Sequence, residues 1–217
     1  MFETVRRGPQ PDVTEGVYTV VRDAVHNNGM RNRMIRKLVC ALTAGDKSKL
    51  KAEYPAVAAL VVGRVRRTIV YTDNAGHGLR LAHALRLPLV VNVLADRDSL
   101  TADDLRALDQ GAEFCDHSIQ PVVVTSEGLR HLGRFDVVVR ADGGTGRLPL
   151  PARHLMNRSG DDRDLVVIDF RDADVPLLRH RSRLRAEAYR EAGWEIAGES
   201  SPSALELFKA TRPEVFQ

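Results

Sequence analysis

Only two cysteines, Cys40 and Cys115, occur in the 217 residues. They lie far apart and form no CxxC pattern, which argues against a secreted disulfide scaffold and against a zinc site. Aromatic residues make up 5% of the chain, with a single tryptophan, so an aliphatic core is required. No apolar run approaches the roughly 20 residues needed to span a bilayer. The charged start, with its glycine and prolines, lacks the apolar centre of a signal peptide. A soluble, cytoplasmic protein with no membrane partner is therefore expected. Also missing is any GxxxxGK[ST] stretch, and with it a loop that cradles the phosphates of ATP and supplies a lysine and a magnesium-binding hydroxyl. The sequence has neither internal repeats nor low-complexity segments.

What is present points to one domain. The length suits a core that is stable without disulfides or metals. Residues 1–13, with Gly8, Pro9 and Pro11, read as a flexible arm, and 14–217 as a single α/β domain. Charge is unevenly spread: residues 1–67 carry 13 Lys and Arg against 6 Asp and Glu, and the remainder 19 against 23. A basic N-terminal third suits a polyanion, or simply a solvated face.

The hydrophobic pattern from 14 to 44 is helical, broken near Asn27-Asn28-Gly29. In the second half Met30, Met34, Leu38, Ala41 and Leu42 share one stripe, with Arg33, Arg36 and Lys37 opposite. Arg31 falls within the apolar stripe, so it either snorkels out of the helix end or points into a cleft. After a mixed basic segment, 68–73 reads as a buried strand, 75–86 as a helix with Gly78, Leu81, Ala82 and Leu85 inward, and 88–93 as a second strand. Such a unit requires parallel strands and a right-handed crossover. A short helix over 101–110 opens on a Thr101/Asp104 capping box. Strands follow over 122–125, 135–140 and 164–170. A long helix begins at Pro176, runs through Leu177, Leu184 and Ala188, and stops at Gly193. Residues 194–197 suggest an edge strand and 204–209 a last helical turn. The alternation predicts a three-layer α/β fold with a parallel sheet.

Ligands of open parallel sheets collect at the carboxyl ends of the strands. That rule singles out Thr125, Ser126 and the Asp142-Gly-Gly-Thr-Gly146 turn, with Asp142, Gly143 and Gly144 as candidate nucleotide-binding residues. Glycines are also used wherever a turn needs positive φ, so an ordinary turn is the competing reading. The Cys115-Asp116-His117 trio has no second ligand pair, and no metal site is expected. Asp169, Asp172 and Asp174 could hold a divalent cation or serve the start of the helix at Pro176. The basic run 179–185 either meets phosphate or solvates an outer face.

The order of these segments resembles the second, C-terminal RecA-like lobe of superfamily 2 helicases, a P-loop NTPase-like fold, here without its P-loop. Residues 68–78 look like motif IV, and 122–144, a strand ending in threonine followed by a strand beginning in aspartate, is similar to motif V. The resemblance implies nucleic-acid contacts by Thr72, Asn74, His77, Thr125 and Ser126, with Arg31, Arg33, Arg36 and Lys37 on the entry helix. For Thr72 and Asn74 the residues alone read equally as a strand end and a helix cap. The loop before Asp136 lacks the Arg-Gly-x-Asp of motif V, and motif VI is absent as such. Arg153 or Arg158, with Arg163, lie nearest to where an arginine finger would be supplied. The resemblance implies no cofactor for the chain alone, ATP and Mg only with a partner protein carrying a first RecA-like lobe, and nucleic acid, DNA or RNA, as ligand. Two other classes compete: a free-standing Rossmann-like enzyme binding a nucleotide or sugar nucleotide around Asp73, Ser126 and Asp142, and a structural scaffold.

Overall fold

A computed structural model describes residues 16–61, 67–90, 102, 121–133, 135–150, 165–172, 174–197 and 205–209. Seven strands form one sheet in the order β2-β3-β1-β4-β5-β7-β6. They are β1 (Thr68–Thr72), β2 (Leu89–Val90), β3 (Val122–Thr125), β4 (Val137–Arg140), β5 (Val166–Phe170), β6 (Glu195–Ala197) and β7 (Leu205–Lys209). The first five are mutually parallel, and β7 runs antiparallel between β5 and β6. The predicted three-layer α/β architecture is therefore present. The expected helical turn at 204–209 is instead strand β7. One isolated turn gains little from its own hydrogen bonds, whereas this segment pairs with β5 over five residues and also with β6.

The strands β1, β3, β4 and β5 are buried throughout and rich in valine and isoleucine, as a sheet covered on both faces requires. Side chains alternate between two cores. On one face Val70, Val123, Val137, Val139 and Ile168 meet helices α2 (Gly29–Ala44), α3 (Lys47–Glu53), α4 (Pro55–Val61) and α5 (Ala75–Leu85). On the other Ile69, Val122, Val124, Val138 and Val167 meet a 3-10 turn, Gly128–His131, and the residues Ala186, Tyr189 and Trp194 in and after α6 (Pro176–Glu191).

Helix starts follow the expected chemistry. The Asn28 side chain accepts from the N–H groups of Met30 and Arg31, and Asn74 caps α5 by accepting from His77 N–H. Helices α3 and α4 were hidden in the mixed segment because each has only seven residues and Tyr54 interrupts them. Their start is nevertheless marked by Asp46, which accepts from Lys49 N–H. In α6 the buried stripe is Leu178, Ser182, Arg185, Ala186 and Tyr189 rather than the half-buried Leu177, Leu184 and Ala188. The helix ends as predicted, with Gly193 just beyond it at φ 73°.

One element sits apart from the two layers. The first helix, α1 (Val17–Val21), continues as a π-helical turn, Arg22–His26, before the predicted break at Asn27. Val21 and Val25 pack with Leu178 of α6. The strand prediction over 91–93, the helix over 101–110 apart from Ala102, the arm, and Cys115 to His117 lie outside the described residues. Among those described, no helix is long and apolar enough to cross a membrane.

Candidate functional site at the strand ends

In this strand order the chain leaves β1 toward β2 on one side and leaves β4 toward β5 on the other. The crevice between the carboxyl ends of β1 and β4 is thus the topological switch point, where doubly wound sheets bind ligands. Tyr71 lies opposite Arg140 in that pair, and two residues further along each chain segment, just beyond the strands, stand Asp73 and Asp142.

Arg140 organises the β4 side. Its guanidinium meets Asp142 at two points, Nε to Oδ1 at 2.6 Å and Nη2 to Oδ2 at 2.9 Å, and both residues are buried. Period-two geometry explains the partnership: residues i and i+2 of an extended chain point the same way. Burial pushes the Asp142 carboxyl up, but the charge and hydrogen bonds of Arg140, with Arg185 behind, outweigh it and hold it below the ordinary value. Burial likewise works against the Arg140 cation, and the Asp142 and Asp169 charges overcome it, so its pKa rises.

Three more arginines converge on the same turn. Arg31, the residue out of place in its apolar stripe, is only 5% exposed. It reaches past its helix end to pair with Asp172, donates to the carbonyls of Ala141 at 3.4 Å and Asp142 at 3.2 Å, and lies over the Phe170 ring. Arg185 pairs with Asp169 at 2.7 Å and donates to the Gly144 carbonyl at 2.9 Å, and Arg181 donates to the Gly143 carbonyl at 2.9 Å. Asp169 and Asp172 thus answer arginines. Among the described residues no group of acidic, histidine or cysteine side chains has a metal-binding arrangement.

The β1 side is built from uncharged groups around one carboxylate. The Thr72 hydroxyl donates to the Asn74 carbonyl at 3.2 Å and stands 3.2 Å from His77 Nδ1. The His77 ring stacks on His26 with centroids 4.5 Å apart. Burial, then neighbouring positive charge, pushes His26 down to about 4 and His77 down to about 2, so both are neutral at pH 7. Neither Nε2 has a hydrogen-bond partner, and that of His26 stands 3.8 Å from Asp73, too far for one. Asp73 keeps a side chain 41% exposed, yet its crowded surroundings and the nearby Asp142 charge push it up to about 6. Val25 completes the cover: a Cβ on Gly143 would lie 2.8 Å from its Cγ2, so only glycine lets the N-terminal helix sit this close.

The remaining candidates are placed as follows. Thr125 is buried, and its hydroxyl accepts from Gly128 N–H at 3.2 Å, holding the turn after β3. The half-buried Ser126 hydroxyl lies 2.7 Å from that of Tyr71. Thr72, Asn74 and His77 adjoin one another at the end of β1, while Thr125 and Ser126 end the neighbouring strand. Arg33, Arg36 and Lys37 are exposed along the outer side of α2. Arg153, Arg158 and Arg163 fall outside the described residues. His26, Arg140 and Arg185 were missed from sequence. Arg140 had a signal, an arginine closing a run of buried valines with an aspartate two residues on; His26 had none.

No family model, no curated protein and no solved structure matches this chain. Its function therefore rests on the geometry above.

Proposed function

We propose that the chain is a nucleic-acid-binding module that meets the phosphate backbone through helices α2 and α5, in the manner of a helicase C-terminal lobe with a RecA-like fold. One observation carries this reading. These two helices pack against each other on one face of the sheet and contain no aspartate or glutamate at all, while Arg33, Arg36, Lys37 and Arg80 stand exposed on them. Among the described residues, Arg36 and Lys37 have no ion-pair partner, and Arg33 touches only the Met30 sulfur. Lys47 and Lys51 extend the basic surface onto α3. Cations left unneutralised on a shared face are the electrostatic footprint of a polyanion site.

Thr125 and Thr72 fit this reading as supports, since their hydroxyls serve the turns beside the strand ends. With no GxxxxGK[ST] in the sequence, nucleotide turnover belongs to a partner chain supplying a first lobe, with its ATP and Mg, in a split or degenerate motor. The alternative, a nucleotide-binding enzyme working at the switch-point crevice, is less well supported because Val25 packs against Gly143 there and His26 stands beside Asp73.

Titration of the purified chain with single-stranded and duplex DNA and RNA at several salt concentrations tests the proposal. Binding should weaken as salt rises, and the triple change Arg33→Ala, Arg36→Ala, Lys37→Ala should flatten the duplex salt slope by up to about 0.9 log unit per lost contact. Unchanged affinity and slope in that variant would refute the assignment of this face.

A further inference from the structure

The turn after β4 has an unusual hydrogen-bond orientation. Five of its carbonyls, those of Ala141, Asp142, Gly143, Gly144 and Gly146, accept from buried or half-buried guanidiniums: Arg31 takes the first two, Arg181 the third, Arg185 the fourth and Arg140 the last at 2.7 Å. In a planar trans peptide the N–H points opposite to the C=O. Where the carbonyls of Gly144 and Gly146 face the guanidiniums, the N–H groups of Thr145 and Arg147 face away from them. Thr145 and Arg147 are exposed, and among the described residues neither has a hydrogen-bond or ion-pair partner.

Backbone conformation adds to this. Gly146 has φ 70°, a left-handed residue within the turn, and turns of this kind are where successive N–H groups can line a concavity suited to an anion. The charges beneath the turn balance: four guanidiniums, those of Arg31, Arg140, Arg181 and Arg185, stand among four carboxylates, those of Asp73, Asp142, Asp169 and Asp172.

We propose that residues 145–147 form an oxyanion site for a phosphate group, held by the N–H groups of Thr145, Gly146 and Arg147, the Thr145 hydroxyl and the Arg147 guanidinium. The site is independent of the basic helices. The buried arginines do not touch the ligand; they hold the carbonyls of the turn, so that its N–H groups are displayed before ligand arrives, which lowers the ordering cost of binding. Arg147 supplies the charge that touches the ligand. A phosphate monoester and a phosphodiester present the same oxygens, so a nucleotide or a nucleic-acid backbone would satisfy the same donors.

The test is a titration of the full 15N-labelled chain with inorganic phosphate, following backbone amide resonances. The amides of Thr145, Gly146 and Arg147 should shift together along one saturating curve, and Arg147→Gln should weaken that curve about three- to tenfold, the loss of one charge-assisted contact. Gly146→Ala, strained at positive φ, should weaken it further, while Arg147→Gln keeps the test valid if that variant fails to fold. The triple α2 variant should leave the curve unchanged, which separates this site from the nucleic-acid face. Titration with ADP, or with an oligonucleotide without terminal phosphates, in place of inorganic phosphate then tells the sources apart by which one shifts the same three amides at the lower concentration. Amides of 145–147 that stay still, or that move equally in wild type and Arg147→Gln, would overturn the site.

Discussion

Arg140 and Asp142 form a two-point ion pair across a single intervening residue, sealed from solvent at the end of β4. Neither partner is replaceable alone. Arg140→Met would leave a buried carboxylate without its cation and should cost about 3–5 kcal/mol of stability. Arg140→Met with Asp142→Asn, which removes both charges, should recover part of that loss. Urea unfolding of the three proteins measures it, and a double variant less stable than Arg140→Met would show that the pair is not coupled.

Gly128 offers a purely steric prediction. A Cβ there would stand 2.2 Å from the Val90 carbonyl oxygen, a contact with backbone that cannot rotate away. Gly128→Ala should therefore destabilise the fold by about 2–4 kcal/mol, at the upper end for single substitutions. Gly16→Ala, where nothing lies within 4 Å, should be nearly silent in the same thermal melt.

Thr125→Val keeps the β-branched shape and removes the acceptor that the Gly128 N–H uses. A buried donor left unpaired costs about 1–3 kcal/mol. Denaturation should show that loss, while the affinity of the folded protein for oligonucleotide should be unchanged. An affinity loss at constant stability would instead place Thr125 in contact with phosphate.

The stacked histidines predict a pH dependence. Their folded pKa values lie below the unfolded value of about 6.5, so the unfolded chain binds more protons between that value and about 4 for His26, or about 2 for His77. Their contribution is complete above pH 6.5 and is lost as pH falls, each ring giving at most about 1.4 kcal/mol per pH unit. Asp73 works the other way: with its folded pKa raised to about 6, it favours the folded state below that pH. Its side chain is partly exposed, so two buried rings outweigh it. Stability should fall from pH 6.5 to pH 5, and His26→Phe, which keeps the stacking surface without the titrating nitrogen, should reduce that fall. An equal slope in both proteins would exclude the His26 contribution.

Much of the fold was legible because its determinants are local. Short apolar, β-branched runs announced β1, β3, β4 and β5, Pro176 and Gly193 bracketed the long helix, and Asn27 to Gly29 marked the helix break. Helices of seven residues carry too little periodicity to be read, which is why α3 and α4 lie in a stretch that reads as mixed, and β7, Leu-Glu-Leu-Phe-Lys, lacks the β-branched run that marks the other strands. At the site, Asp142 and its glycines were visible as a strand-end turn. The arginines that define what that turn does were not.

Neighbours a few positions away suffice to make β1, β3, β4 and β5 buried strands, to bracket the long helix between Pro176 and Gly193, and to turn Arg33, Arg36 and Lys37 to water. Arg31 shows where this ends. Its position within an apolar stripe is a sequence fact, but its partner Asp172 lies 141 residues further on, and only the packing of α2 beside the ends of β4 and β5 joins them. The stacking of His26 on His77 and the convergence of four guanidiniums on one glycine-rich turn were likewise decided by tertiary structure. Charge pairing and ring stacking act over a few ångströms in space, and chain connectivity leaves those distances open until the sheet is assembled.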